Sequence, residues 1–127
     1  MAKAFMTGAM LVHDELIDHY KFPRHRGEIK EPHFTAALLN QSCGDRISIT
    51  GRMADGVIVS CAFQGEGCVL SQAAASMLME YIHAKSPADI AAIDAAYMQA
   101  RVGVAVGPTR LRCVLLALET LRKALTS

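Results

Sequence analysis

The order of periodic segments predicts an α+β fold, with an N-terminal helix, a three-stranded antiparallel sheet and three further helices packed on one face. Two observations carry this prediction. The middle of the chain alternates apolar and polar residues with the period of two that is typical of strands. Beyond residue 67 the apolar period changes to about 3.6, which is typical of helices. The 127 residues have the length of one domain, so we expect residues 1–127 to form a single domain.

The first half of the chain carries signals for one helix and three strands. Residues 10–21 form an amphipathic helical pattern that ends before Pro23. Strands are predicted at 34–40, 45–53 and 57–64, and the Asp-Gly pair at 55–56 predicts a hairpin turn between the last two. In the third strand, alternation predicts one set of side chains on a common face: Val57, Val59, Cys61 and Phe63.

The second half of the chain is predicted to be helical. The first of these helices spans 69–84 and is rich in Ala, Met and Leu. Ser86, Pro87 and Asp89 form a helix-start signal, and the helix is predicted to run to about residue 101. A loop rich in Gly and Val follows at 102–108. The last helix is predicted at 113–125, with a cysteine at its N-terminus.

Composition excludes several classes of protein. Hydrophobic residues make up 52% of the chain and charged residues 20%, so a disordered chain is excluded. The net charge of +1 provides no long-range field for nucleic acid or for an anionic membrane surface. No apolar run approaches the ~20 residues that span a bilayer. Residues 1–12 resemble a signal peptide only weakly, and we expect a cytoplasmic protein with reduced thiols.

The four cysteines differ in their sequence context. Cys61 lies in an apolar strand pattern, where a buried cysteine acts as a small core residue. Cys43 lies in a turn with Gly44 and Asp45, so a thiol and a carboxylate can point to one place. Cys68 follows two glycines and opens a helix, where free N–H groups and the helix dipole stabilise a thiolate.

Cys113 is also predicted at a helix start, and the charges of Arg110 and Arg112 would lower the pKa of its thiol further. The three thiols and the carboxylate are a donor set that suits a tetrahedral metal ion. Their separations match no zinc-finger spacing, so sequence distance alone leaves open whether they share a site. The histidines are scattered and indicate no catalytic pair; they are His13, His19, His25, His33 and His83.

Three segments resemble the U-type iron–sulfur cluster assembly family, which comprises the IscU, NifU N-terminal and SufU proteins. Residues 16–24 resemble its D-H-Y-x-N-P-R signature, and residues 42–47 resemble its C-G-D segment. Residues 63–76 resemble its F-x-G-x-G-C-x-x-S-x-A-x-A-S segment. Arg112 and Cys113 precede a helix, as the third cysteine of the family does. The resemblance covers about residues 11–125 and implies a SufE/NifU-like fold.

The resemblance implies that Cys43, Asp45, Cys68 and Cys113 converge at one exposed end. In the family such a site holds Zn(II) or Fe(II), or a transient 2Fe-2S cluster. The resemblance also implies a SufS-like or IscS-like cysteine desulfurase as the persulfide donor, and recipient apoproteins or a carrier for the cluster. Cys43 is our first candidate for the persulfide acceptor and Cys113 the second. Arg112 is a candidate for stabilising negative charge or for replacing a thiolate at the metal.

The sequence departs from each subfamily. Arg112 stands where scaffold-type members carry a histidine that can serve as a ligand, and Phe22 stands where the family has asparagine. Residues 106–110 keep a single proline of the segment that an Hsp70-type chaperone reads, so chaperone recognition is not implied. The motifs around Asp45 and Cys68 resemble SufU, but the chain has no room for the SufU insertion before Cys113.

Two functions therefore stay open at the level of sequence. One is a non-enzymatic scaffold that binds iron, accepts persulfide sulfur, and builds and passes on a 2Fe-2S cluster. The other is a zinc-dependent sulfurtransferase that activates a cysteine desulfurase. A purely structural zinc domain is disfavoured, because the apolar content supplies a core that folds without metal.

Overall fold

A computed structural model of the chain shows an α+β fold and describes the backbone of residues 8–126 and the side chains of residues 14–126. Its elements in chain order are α1 (Gly8–Lys21), β1 (Phe34–Asn40), β2 (Asp45–Ala54), β3 (Val57–Glu66), α2 (Val69–Ile82), α3 (Pro87–Ala91), α4 (Ala95–Val102) and α5 (Pro108–Thr126). The predicted fold class is confirmed. The signal-peptide resemblance rests on residues 1–12, whose side chains lie outside the described residues.

The described strands form one antiparallel sheet in the order β1-β2-β3. Asn40 pairs with Asp45 at one end of the β1–β2 ladder, so residues 41–44 close a tight turn there. At the opposite end of β2, Asp55 and Gly56 both have positive φ, 54° and 80°, as a two-residue hairpin turn of the predicted kind requires. The predicted hairpin is therefore confirmed.

The predicted core face of β3 is wrong at Val59, which is 43% exposed. Arg52 pairs with Ser60, and the next residue of β2, Met53, pairs with Ile58, so Val59 is the extra residue of a β-bulge. A bulge reverses the alternation of side chains along a strand. Ile58 is therefore the buried residue on one side of the bulge, while Cys61 and Phe63 are buried on the other side as predicted.

The helix predicted from residue 86 to about residue 101 is two helices. Ser86 and Asp89 form the predicted capping box at the start of α3. Asp94 then adopts an extended conformation, with φ −123° and ψ 179°, and its side chain accepts a hydrogen bond from the N–H of Tyr97. This second cap starts α4 as a separate helix. Within residues 8–126, four helices rather than three therefore follow the sheet.

The last helix, α5, begins at Pro108 rather than at residue 113. Proline has no N–H to lose at the first helical position, which explains the earlier start. Cys113 consequently lies in the second turn of α5 and is fully buried, not at an exposed helix N-terminus.

Helices α2 and α5 contact each other and the sheet, with α5 over β1 and β2 and α2 over β3. Helix α1 packs on α2. The loop after α1 covers the outer edge of β3, because Gly27 N–H donates to Phe63 O and Phe63 N–H donates to His25 O. No helix among the described residues has the length and apolar composition needed to cross a membrane.

Candidate metal centre

The predicted ligands meet at one end of the sheet, where β1 ends, β2 begins and β3 leads into α2. One ligand atom each from Cys43, Asp45 and Cys113 lies within 4.8 Å of the other two. Cys68 lies beside this group, with its Sγ 3.9 Å from Asp45 Oδ2. The structure thus brings together four side chains from three distant segments of the sequence.

Cys43 is exposed on the turn between β1 and β2. The backbone carbonyl of Asn40 accepts hydrogen bonds from the N–H of Cys43 at 3.3 Å and of Gly44 at 2.9 Å. Gly44 has φ +71°, which glycine adopts without strain. The turn therefore holds Cys43 at the surface, next to the first residue of β2.

Asp45 is fully buried and lies against the N-terminus of α2. Its Oδ1 accepts a 2.9 Å hydrogen bond from the backbone N–H of Cys68. Free N–H groups and the helix dipole favour a carboxylate at this position. Gly67 has φ +144°, and a Cβ at that residue would overlap Asp45 Oδ1 and lie 2.9 Å from Asp45 Cα. Only glycine at position 67 lets the carboxylate sit there.

Cys68 is the N-cap residue of α2, with φ −74° and ψ 166°, so the predicted position at a helix N-terminus is confirmed. Its side chain makes no capping hydrogen bond, and its thiol is half-buried. The Cys68 Sγ is therefore free of a structural role at the helix end and faces the carboxylate of Asp45.

Cys113 occupies the interior side of the cluster. Its thiol donates to Cys43 Sγ at 3.4 Å. Burial raises the pKa of the Cys113 thiol well above its ordinary value, and hydrogen bonds with Asp45, Cys43 and Cys68 raise it further. The prediction that nearby arginines lower this pKa is wrong, because burial dominates. Arg112 itself is exposed and forms no ion pair with a described residue.

Asn40 is a site residue that the sequence does not reveal. Its backbone carbonyl shapes the Cys43 turn, and its side-chain Nδ2 lies 3.9 Å from Cys113 Sγ as a donor. Asparagine at the end of a strand is ordinary turn chemistry, so its position alone gives no signal of contact with a cysteine distant in the sequence.

Cys61 is a core residue, as predicted. It is 3% exposed, and burial raises the pKa of its thiol to about 11. Its Sγ donates to the carbonyl of Met79 at 3.5 Å, away from the other thiols.

None of the histidines with described side chains joins the cluster. His19 is buried, and its Nδ1 lies 2.7 Å from Ser76 Oγ, which also accepts the backbone N–H of Arg24 at 2.8 Å. Burial, more than the neighbouring charges, lowers the pKa of His19. This network ties α1 to α2 and is structural. The predicted surface position of His83 is confirmed, and the side chain of His13 lies outside the described residues.

The donor set of three thiols and one carboxylate fits Zn(II) or Fe(II). A metal needs thiolates, so an ion that binds here must displace the proton that burial and hydrogen bonding keep on Cys113. Metal affinity is therefore expected to fall as the pH falls.

Known proteins resemble this chain over most of its length. The model of the family described as the NifU-like N-terminal domain matches residues 11–127. The zinc-dependent sulfurtransferase SufU of Bacillus subtilis (strain 168) is 31% identical, over 85% of this chain and 84% of that protein. The iron–sulfur cluster assembly scaffold protein IscU of Thermotoga maritima is 29% identical, over 94% and 96% of the two chains.

A solved structure from Fervidobacterium islandicum AW-1, described as an iron–sulfur cluster assembly scaffold protein for the SUF system, has the same fold. Its TM-score with this chain is 0.77 at 25% identity, over 94% of this chain and 99% of that one. The match of the family model spans the cysteines and the carboxylate that converge in the structure. This chain therefore belongs to the NifU-like N-terminal domain family, which its sequence motifs resemble.

Proposed function

We propose that this protein is a scaffold for iron–sulfur cluster assembly, which binds iron, accepts sulfur delivered as a persulfide, and builds and passes on a 2Fe-2S cluster. The observation that carries the proposal is the convergence of Cys43, Asp45 and Cys113 within 4.8 Å, with Cys68 beside Asp45. The relatives named as IscU scaffolds support it. Iron and sulfide are the substrates of this activity.

The donor set suits a cluster that must later leave. Thiolates bind iron firmly, whereas the harder carboxylate of Asp45 holds a sulfide-bridged iron less firmly than a fourth thiolate would. One oxygen of Asp45 is engaged by the N–H of Cys68, and the other faces the thiols. Cys43 is exposed, so the site opens to solvent and to a recipient protein.

The proposed sulfur donor is a cysteine desulfurase of the SufS-like or IscS-like kind. A persulfide carried by another protein can reach only an accessible thiol, and Cys43 is exposed whereas Cys113 is fully buried. Exposure therefore favours Cys43 as the acceptor. The recipients are apoproteins or a carrier. We place the protein in the cytoplasm, where thiols stay reduced.

A zinc-dependent sulfurtransferase is the second candidate, favoured by the 31% identity with SufU. In that function Zn(II) would be held by Cys43, Asp45, Cys68 and Cys113, and it would keep their thiols deprotonated. Cys43 would take the sulfur from the desulfurase. Arg112, exposed and next to Cys113 in the chain, would stabilise negative charge at the metal or replace a thiolate there.

Anaerobic reconstitution separates the two functions. The purified chain is mixed with a cysteine desulfurase, cysteine and Fe(II), and iron, acid-labile sulfide and the visible spectrum are measured. The scaffold predicts a cluster with equal iron and sulfide, which is lost in Cys43→Ser and Asp45→Ala but kept in the core variant Cys61→Ala. Tight zinc, no cluster and faster desulfurase turnover that needs Cys43 would favour the sulfurtransferase. Unfolding on chelation, without any effect on the desulfurase, would contradict both.

A further inference from the structure

We propose that Cys43 and Cys113 form a dithiol that reduces an incoming persulfide, so that sulfane sulfur on Cys43 leaves as sulfide and the two cysteines become a disulfide. The inference rests on the proposed function, because it concerns how sulfur delivered to this site reaches the oxidation state that a cluster contains. Persulfide sulfur must gain two electrons to become sulfide, and a pair of adjacent thiols can supply them.

The distance between the two sulfurs supports a direct reaction. Cys113 Sγ lies 3.4 Å from Cys43 Sγ, within hydrogen-bonding distance. Reacting atoms in near-attack geometries are roughly 3–3.5 Å apart. A disulfide requires a sulfur–sulfur distance of about 2.05 Å, so one of the two residues must move by more than 1 Å.

The surroundings of the two cysteines show which of them can move. Cys43 is exposed on a turn beside Gly44, whereas Cys113 is fully buried in the second turn of α5. The exposed residue can meet a donor protein and then close on the buried one. Cys68 is a poorer partner, since its thiol faces Asp45 and lies outside the group of ligand atoms within 4.8 Å of one another.

The reaction balances without another participant. As the Cys113 proton passes to the outer sulfur of the Cys43 persulfide, the Cys113 sulfur attacks the inner sulfur, and the bond between inner and outer sulfur breaks. The outer sulfur leaves with that electron pair as hydrogen sulfide, keeping the persulfide proton and carrying the Cys113 proton. The sulfane sulfur is reduced by two electrons, and the two cysteine sulfurs are oxidised to a disulfide. A second turnover requires a dithiol reductant of the thioredoxin class to restore both thiols.

The test uses the full chain, freed of metal with a chelator under anaerobic conditions, and glutathione persulfide as the sulfur donor. Released sulfide is measured without added reductant, and the protein is analysed by mass spectrometry and peptide mapping. We expect one sulfide per chain, a mass loss of two hydrogens, and a linked pair of peptides containing Cys43 and Cys113. Cys61→Ala should behave like the parent chain, since Cys61 lies in the core.

Two variants make the outcome decisive. Cys113→Ala should retain the extra sulfur on Cys43 and release at least tenfold less sulfide. Cys43→Ser changes an exposed residue, so the fold should persist, and it should give neither the disulfide nor sulfide above background. Parent-level sulfide release from Cys113→Ala, or a disulfide that links Cys43 to Cys68, would overturn the proposal.

A separate reconstitution of the parent chain with Fe(II) and inorganic sulfide keeps the two claims apart. If a cluster forms from Fe(II) and inorganic sulfide but the persulfide reaction fails, only the dithiol inference is contradicted. Absence of a cluster even from free sulfide would instead remove the proposed scaffold function.

Discussion

Replacing Gly67 by alanine would place a methyl group in the space that the carboxylate of Asp45 occupies. The new Cβ would overlap Asp45 Oδ1 and lie 2.9 Å from Asp45 Cα, which is backbone and cannot swing aside. The backbone at Gly67, with φ +144°, is also strained for any residue that has a Cβ. Strain of this kind costs about 1–3 kcal/mol, and overpacking costs about another 1–3 kcal/mol. We therefore expect Gly67→Ala to lower the free energy of unfolding by about 2–6 kcal/mol.

Gly27 offers a matched control for this variant. Its φ is +148°, but a Cβ there would meet no described atom within 4 Å. Gly27→Ala therefore carries the strain without the overlap, and should cost about 1–3 kcal/mol less than Gly67→Ala. Urea unfolding of both metal-free variants measures this difference, and competition with a chromophoric chelator measures their zinc affinity. Equal stability and equal zinc affinity of the two variants would refute the claim that the Asp45 carboxylate can occupy its position only because residue 67 is glycine.

Three further predictions concern residues around the core and the site. Gln72→Met should raise the free energy of unfolding by about 1 kcal/mol, because the buried Gln72 Oε1 has no hydrogen-bond partner among the described residues. An unchanged or lower free energy in urea unfolding would show that the Gln72 side chain has all its hydrogen bonds. Burial raises the pKa of Cys61 from 9.0 to about 11, so in the metal-free protein the folded state keeps the Cys61 proton in a pH range where the unfolded chain loses it. The contribution of Cys61 to the free energy of unfolding is therefore fully present below pH 9 and is lost as the pH rises to 11. Thermal unfolding across this range should show a fall in stability of which Cys61 contributes about 2–3 kcal/mol, so Cys61→Ala should lose about that much less than the parent chain, and identical pH profiles would contradict the assignment. Asn40→Ala should weaken zinc binding about 10-fold, since the donor to Cys113 is lost while the backbone of the turn is kept, and unchanged affinity in the chelator assay would exclude this role.

Much of the fold could be predicted because its signals act over a few residues. The Asp55-Gly56 turn and the Ser86 capping box both need only their immediate neighbours. The structure differs from the predicted elements where two local signals compete or where the pairing between strands decides which side chains are buried. Asp94 provides a second cap inside an otherwise continuous helical pattern, and the bulge at Val59 depends on how β3 pairs with β2.

Local patterns predict the residues of the candidate site, whereas only the family resemblance implies that these residues converge. The motifs around Cys43 and Cys68 mark the thiols and Asp45, whereas their proximity depends on the pairing of Asn40 with Asp45 and on the packing of α5 over β1 and β2. No local pattern reports such long-range contacts. The burial of Cys113, which reverses the expected direction of its pKa, follows from the same packing.

The most direct test of the site is the absorption spectrum of the cobalt(II) form, because the intensity of sulfur-to-cobalt charge transfer counts the thiolate ligands. The proposed ligand set predicts the intensity of three thiolates in the parent chain, and a loss of about one third in each of Cys43→Ser, Cys68→Ser and Cys113→Ser. Cys61→Ala should leave the spectrum unchanged. Full intensity in any of the three serine variants, or a loss in Cys61→Ala, would contradict the assignment of these residues as the metal ligands.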